Sequence, residues 1–349
     1  MSESAHELAA AAALATSPPG PPPRGGVATL LAEAIALVGD DLAAAERELA
    51  SLLHSEVAII PELGGHLAFA GGKRFRPLLT LLCARAAGYA ESHRITVAAV
   101  GELLHTATLL HDDVIDQGEF RRGRPTARLR WGNGLAVLTG DYCLARALQA
   151  VGRSGRIEAV RSMADAVTRM AEGEVAQLHG CGDDSLDRAR YSMVIDRKTA
   201  ALIEWCSSVA GLPERALLPA LSRFGSELGF AFQIADDVLD YQAAAETTGK
   251  EPGQDLRDGK MTLPLILACE ADARLHARVR QALRPGGPMS TATAAGIVAA
   301  VLDSGAPARA AAIATGHAER AVAALSELPP SRACTALEQV AHYVVRRSS

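Results

Sequence analysis

The sequence predicts an all-α protein, a single helical bundle of ten or more helices. Three observations lead there. Alanine makes up roughly a fifth of the 349 residues while aromatic residues are only 4%, a composition that favours helix over sheet. Apolar residues recur at helical spacing, as in Leu30, Ile35, Leu42, Leu49, Leu52 and Leu53. No run alternates apolar and polar residues as a half-buried strand does.

Residues 1–26 end in SPPGPPPRGG and read as a disordered Ala- and Pro-rich tail, followed by one all-α domain over 27–349. After the first amphipathic stretch, helical patterns cover about 75–88, 95–116, 135–151, 155–179, 186–211, 214–243, 261–283, 290–303, 306–327 and 332–346. Gly and Pro clusters separate many of them, at Gly132 and Gly134, Gly211–Pro213, Pro285–Pro288 and Pro329–Pro330. No repeat of fixed period appears.

With 49% hydrophobic residues the chain has ample material for a buried core. A net charge of −5 offers no basic field for nucleic acid. The six cysteines form no CxxC pair, which argues against a zinc site or a disulfide framework and fits a reducing cytoplasm. The N-terminus carries Glu3 and Glu7 where a signal peptide would be basic. The uncharged stretch from Pro285 to Leu302 is too polar to span a bilayer, so no transmembrane segment is expected, although peripheral membrane contact stays compatible. Of the 35 Lys and Arg residues only four are Lys: Lys73, Lys198, Lys250 and Lys260. Codon bias explains the Arg excess, but not where these four remain.

Two segments carry the clearest chemistry. In LLHDDVIDQGEFRRGRPT, Asp112, Asp113 and Asp116 form DDxxD at the end of an apolar helix. Their spacing places Asp112 and Asp116, and Asp113 and Asp116, on one face. Like charges so placed cost about 0.2–0.5 kcal/mol per pair, and the helix C-terminus disfavours anions further. Hard divalent cations offset that cost, since Mg2+ takes oxygen ligands and is often shared with substrate phosphates. In FQIADDVLDYQ, Asp236, Asp237 and Asp240 repeat the pattern, again in an apolar helix, and two such clusters can face each other inside a bundle. A third DDxxD, Asp183, Asp184 and Asp187, has Gly, Cys and Arg for neighbours. It reads as a solvated turn, with Asp184 or Ser185 capping the next helix.

Other residues suit anionic groups. GGKRFRP places Lys73, Arg74 and Arg76 at a helix start where glycines admit an anion, though a basic surface turn reads the same way. Arg121 and Arg122 can each grip a phosphate, or lie in a solvated loop. His105 sits seven residues before Asp112, on the same face, as ligand or as core. Lys198 and Thr199 stand in DRKTA, and Lys250 and Lys260 in a Gly-rich polar loop that reads as a lid. Six aspartates near −6 balance three divalent cations, and two diphosphates of about −3 each would need roughly three cationic side chains apiece. Lys73, Arg76 and Arg122 can serve one, and Arg121, Lys198 and Lys260 the other.

Taken together, GGKRFRP, HTATLLHDDVID, RRGRPT, GDYCLARA, DRKTA, FQIADDVLD and GKEPGQDLRDGKMTLP resemble the polyprenyl synthetase family, the trans-isoprenyl diphosphate synthases, from about Leu30 to the C-terminus. The resemblance implies helices around a deep central cavity, a homodimer, and elongation of an allylic diphosphate by isopentenyl diphosphate. It implies that Asp112 and Asp116 bind two Mg2+ ions and Asp236 a third, with Asp113 and Asp240 in support. Arg121, Lys198, Thr199, Gln233, Lys250 and Lys260 would contact the allylic diphosphate, and Lys73, Arg76, His105 and Arg122 the isopentenyl diphosphate. In short-chain relatives bulky aromatics precede the first Asp by four or five residues. Here those positions are Thr108 and Ala107, and MAEGEVAQL resembles long-chain members. The expected product is therefore long, roughly thirty to fifty carbons, of the kind attached to quinones. The competing expectations are a product of about twenty carbons from the same chemistry, a terpene cyclase, or a non-catalytic subunit.

Overall fold

The computed structural model describes residues 26–71, 74–121, 123–213, 215–242, 252–283 and 289–346, with side chains from residue 31 onward. Lys73, Arg122, Lys250 and the N-terminal tail to residue 25 lie outside the described residues. The chain runs through α1 (Gly26–Leu53), α2 (Ile59–Ala68), α3 (Phe75–Ala86) and α4 (His93–Ile115), then a two-strand ribbon. In that ribbon β1 (Phe120–Arg121) pairs antiparallel with β2 (Arg124–Pro125). Next come α5 (Ala127–Trp131), α6 (Asn133–Gly152), α7 (Ile157–His179) and α8 (Arg188–Ile195). A π-helical turn (Asp196–Ala200) leads into α9 (Ala201–Ser208). The rest comprises α10 (Leu218–Gln242), α11 (Gln254–Arg257), α12 (Leu263–Ala271), α13 (Ala273–Ala282), α14 (Thr291–Asp303), α15 (Ala306–Ala324) and α16 (Arg332–Arg346). The all-α expectation is borne out.

Two buried clusters share α10. Its N-terminal half gives Leu221, Phe224 and Leu228 to the larger cluster, built mainly from α1, α3, α4, α6, α9 and α16. Its C-terminal half gives Ile234, Val238 and Tyr241 to a smaller one with α12, α13 and α14. The alanines have a visible use here. Ala310, Ala314, Ala318 and Ala321 of α15 are at most 1% exposed and let that helix lie close along α10. α12 is apolar from Leu263 to Cys269, and all of those residues are buried. Each such Leu or Ile contributes about 1.5–3 kcal/mol by leaving water.

Departures from the expected elements are local. α2 went unread because Pro61, Gly64 and Gly65 break its pattern. Pro is tolerated in a first turn, and a Cβ at Gly64 would stand 2.7 Å from Leu53 Cδ2, so the glycine admits α1. The 261–283 stretch divides at Asp272, whose side chain accepts from the N–H groups of Arg274 and Leu275 at 2.8 and 3.2 Å. The cap of α8 is Asp187, which accepts from Arg190 N at 2.9 Å, not Asp184 or Ser185 as expected. Among the described residues no single helix is long and apolar enough to cross a membrane. The bent pair α14–α15 passes that test together by length and composition, but it turns by 63° at the break between the two helices.

Candidate active site

α4 and α10 each bring one DDxxD to the same end of the bundle. On α4, Asp112 is half-buried, Asp113 is 1% exposed, and Asp116 is the C-cap. Burial, opposed by Lys198 and reinforced by Glu174 and Asp116, pushes the Asp112 carboxyl up to about 6. Asp113 turns inward, where its Oδ1 accepts from Arg121 Nε at 2.8 Å. On α10, Asp236 is half-buried and Asp237 is 2% exposed. Tyr191 OH lies 2.5 Å from Asp237 Oδ2, and Gln233 Nε2 donates to its Oδ1 at 2.8 Å. Burial and the nearby Asp255 push the Asp237 carboxyl well above the usual range despite those hydrogen bonds. Asp240 accepts from the backbone N–H groups of Gln254 and Asp255, each at 3.1 Å, so it fastens α11 to α10.

Lysines and a hydrogen-bond chain join the two motifs. Lys260 Nζ stands 3.9 Å from Asp116, 3.9 Å from Asp255 and 3.1 Å from Asp258. Burial lowers its affinity for the proton, but Asp255, Asp116 and Asp258 more than compensate and hold it firmly cationic. Lys198 Nζ pairs with Glu174 at 2.5 Å. Thr199 Oγ1 donates to Gln233 Oε1 at 2.7 Å, and Gln233 passes the chain to Asp237. A cavity of about 190 Å3 lies against these groups, with Lys198, Thr199, Gln233, Asp237, Lys260 and Tyr191 in its wall. At Gly259, another residue of that wall, the carbonyl accepts from Gly182 N at 3.0 Å.

The remaining expected residues are placed as follows. Arg74 is engaged by Glu46 at 2.8 Å and Glu102 at 3.5 Å and holds the start of α3. Arg76, the second residue of that helix, is half-buried. His105 and Thr108 are half-buried on the α4 face that carries Asp112, and Thr108 Oγ1 donates to His105 O at 2.8 Å. Ala107, one position away, is 4% exposed. The third DDxxD is tied up in ion pairs: Asp183 with Arg190 at 2.6 Å, and Asp184 with His276 at 2.9 Å and Arg280 at 2.8 Å. Sequence reading missed Glu174, Tyr191 and Asp255. The signal for Tyr191 was available, since it lies two helical turns before Lys198.

The donor set suits a hard divalent cation. It is all carboxylate, Asp112 is held up by burial, and Asp113 Oδ2 is buried without a hydrogen-bond partner. Among the described residues no three acidic, His or Cys groups converge enough to hold an ion by themselves. That fits a cation completed by substrate oxygens rather than an all-protein cage.

The polyprenyl synthetase family model matches residues 57–300, more than half of the chain. The chain belongs to the polyprenyl synthetase family. It is 38% identical over 317 residues to octaprenyl diphosphate synthase of Escherichia coli, covering 89% of this chain and 97% of that one. The fold superposes on a Caulobacter crescentus polyprenyl synthase complexed with calcium and isoprenyl diphosphate, with TM-score 0.87, 38% identity and coverage of 94% and 100%. It also superposes on a decaprenyl diphosphate synthase from Rhodobacter capsulatus, with TM-score 0.85, 37% identity and coverage of 90% and 98%.

Proposed function

We propose that the protein is a trans-polyprenyl diphosphate synthase that condenses isopentenyl diphosphate onto an allylic diphosphate and makes a long-chain product. One observation carries this reading. Lys198, Thr199, Gln233, Lys260 and Asp237 of the α10 motif line one polar cavity, and Lys260 stands 3.9 Å from Asp116 of the α4 motif, so a single anionic head group can lie between the two motifs.

In this reading Lys198, Lys260 and Arg121 bind the allylic diphosphate as it departs, because fixed positive charge stabilises a leaving group in a site that excludes water. Thr199 and Gln233 orient it, and Lys250 adds to the same set. Lys73, Arg76, His105 and Arg122 hold isopentenyl diphosphate so that its double bond reaches the allylic carbon as the carbon–oxygen bond breaks. A new carbon–carbon bond forms, and the proton lost from the adduct passes to the released diphosphate. Divalent cations, Mg2+ and three per site, would be held by Asp112, Asp116 and Asp236 with Asp113 and Asp240 in support, and would neutralise charge on the leaving diphosphate.

The long product follows from Thr108 and Ala107, both small on the turn of α4 that precedes Asp112. The E. coli and R. capsulatus relatives are named for octaprenyl and decaprenyl products, which supports the same range. The enzyme acts in the cytoplasm as a homodimer. The exposed apolar stripe of α6, with Leu135, Leu138 and Leu148, supports self-association. Peripheral membrane contact would serve product release. Products extracted after incubation with farnesyl diphosphate, isopentenyl diphosphate and Mg2+ test the length. We expect roughly thirty to fifty carbons, and Ala107→Phe is expected to shorten them. A twenty-carbon end point from the wild type contradicts the long-chain reading.

A further inference from the structure

The π-turn Asp196–Ala200 carries the two adjacent residues, Lys198 and Thr199, that face the site. A π-turn inserts one residue into a helix and changes the face its neighbours present. This one is gripped from both sides. From α7, Arg169 donates to Asp196 Oδ1 at 2.9 Å and to Glu204 Oε2 at 2.8 Å. Glu172 pairs with Arg197 at 2.9 Å, and Glu174 with Lys198 at 2.5 Å. Between them Gly173 lets the backbones touch, since a Cβ there would stand 2.6 Å from Lys198 N and 2.8 Å from Arg197 Cβ. From α10, a Cβ at Gly229 would stand 2.5 Å from Ala200 Cα, and Gln233 takes the Thr199 hydroxyl.

Every residue of the turn thus has a partner on α7 or α10. Lys198 is directed toward α7 and the Asp112 side, and Thr199 toward α10. Arg169 stands outside the head-group cavity, and its guanidinium bridges the first residue of the turn to α9 beyond it. A forked guanidinium suits that double attachment where a point charge would hold only one carboxylate.

We propose that Arg169 and Gly173 are positioning residues for prenyl transfer. They hold the π-turn on α7 in the one register that presents Lys198 and Thr199 to the allylic diphosphate, an inference that rests on the function proposed above. Neither residue touches substrate, so each acts through Lys198 and Thr199.

A double-mutant cycle on the full-length enzyme tests this. Arg169→Met is expected to raise the allylic KM about tenfold and to leave the isopentenyl KM within about twofold. In a Lys198→Ala/Thr199→Ala background the same substitution is expected to add less than about twofold, because both residues it serves are gone. Equal losses in both backgrounds, or equal rises in both KM values, mean a general structural role and overturn the proposal. Gly173→Ala is expected to give the same pattern. If Arg169→Met does not fold, Arg169→Lys, which keeps one of the two carboxylate links, carries the test with an expected allylic KM rise of about threefold. An unchanged KM in that variant overturns the proposal. Wild-type enzyme that fails to join the two diphosphates would instead refute the proposed function, and the two failures are distinct.

Discussion

The two DDxxD motifs have the same letters and comparable apolar flanks, yet they treat their central carboxylate in opposite ways. Asp113 is buried beside a cation, Arg121, and keeps its charge partner at 2.8 Å. Asp237 is buried beside a phenol and an amide, and burial pushes its carboxyl well above the ordinary range. The second Asp of each motif therefore builds the wall, by an ion pair in one helix and by hydrogen bonds from Tyr191 and Gln233 in the other. Asp112, Asp116 and Asp236 are the carboxylates we propose as the main cation ligands. A spacing argument treats all six as equivalent carboxylates; the burial of two of them separates structure from chemistry.

The largest expected effect breaks the outer positions. Asp112→Asn or Asp236→Asn is expected to lower kcat by about a thousandfold or more, since a metal-bound leaving-group site loses several kcal/mol of stabilisation. Steady-state assays with added Mg2+ check this, and full activity in either variant removes the proposed cation role.

Next is a pH effect on stability in metal-free protein. The folded carboxyl of Asp112, at about 6, lies above its ordinary 3.8. A raised acid favours the fold while protonated, and that contribution is present below about pH 4 and lost as pH rises through about 6. Relative to Asp112→Asn, the wild type is expected to lose up to about 3 kcal/mol between pH 4 and pH 7.5. Urea unfolding of both proteins in chelator reads the difference directly, and a flat difference contradicts the assigned burial cost.

The central positions sharpen the comparison. Asp113→Asn leaves Arg121 without its charge partner and is expected to cost about 1–3 kcal/mol. Asp237→Asn is a near-isostere that breaks no ion pair, and is expected to cost less than about 1 kcal/mol. Equal destabilisation of the two variants would show that the Asp113–Arg121 ion pair adds nothing beyond what the hydrogen bonds of Asp237 supply. A smaller effect is expected of Lys260→Arg, a few-fold rise in allylic KM, because a guanidinium does not reproduce a compact ammonium among Asp116, Asp255 and Asp258. Smallest of all, Asp183→Asn in the ion-paired third motif is expected to leave kcat within about twofold.

Much of this was legible in the sequence. The long helices announce themselves through apolar periodicity, and the flanks alone set the two motifs on apolar helices apart from the third, which the structure finds in ion pairs. Lys198 and Lys260, two of the four lysines, do lie at the site, while Lys73 and Lys250 fall outside the described residues. The illegible parts share a physical cause: they depend on partners far away in sequence. The π-turn has no compositional mark, because what sets it is Gly173, Glu174 and Arg169 on another helix. The β1–β2 ribbon is two residues long on each side, too short for alternation to register. Glu174 reads as one more surface acid of α7 until Lys198 is placed against it.

The most direct test is transfer of label from isopentenyl diphosphate into solvent-extractable lipid by purified protein given an allylic diphosphate and Mg2+, beside the same assay on Asp112→Asn. The account predicts steady incorporation by the wild type and its near-complete loss in the variant. No incorporation by the wild type, or undiminished incorporation by Asp112→Asn, would contradict it.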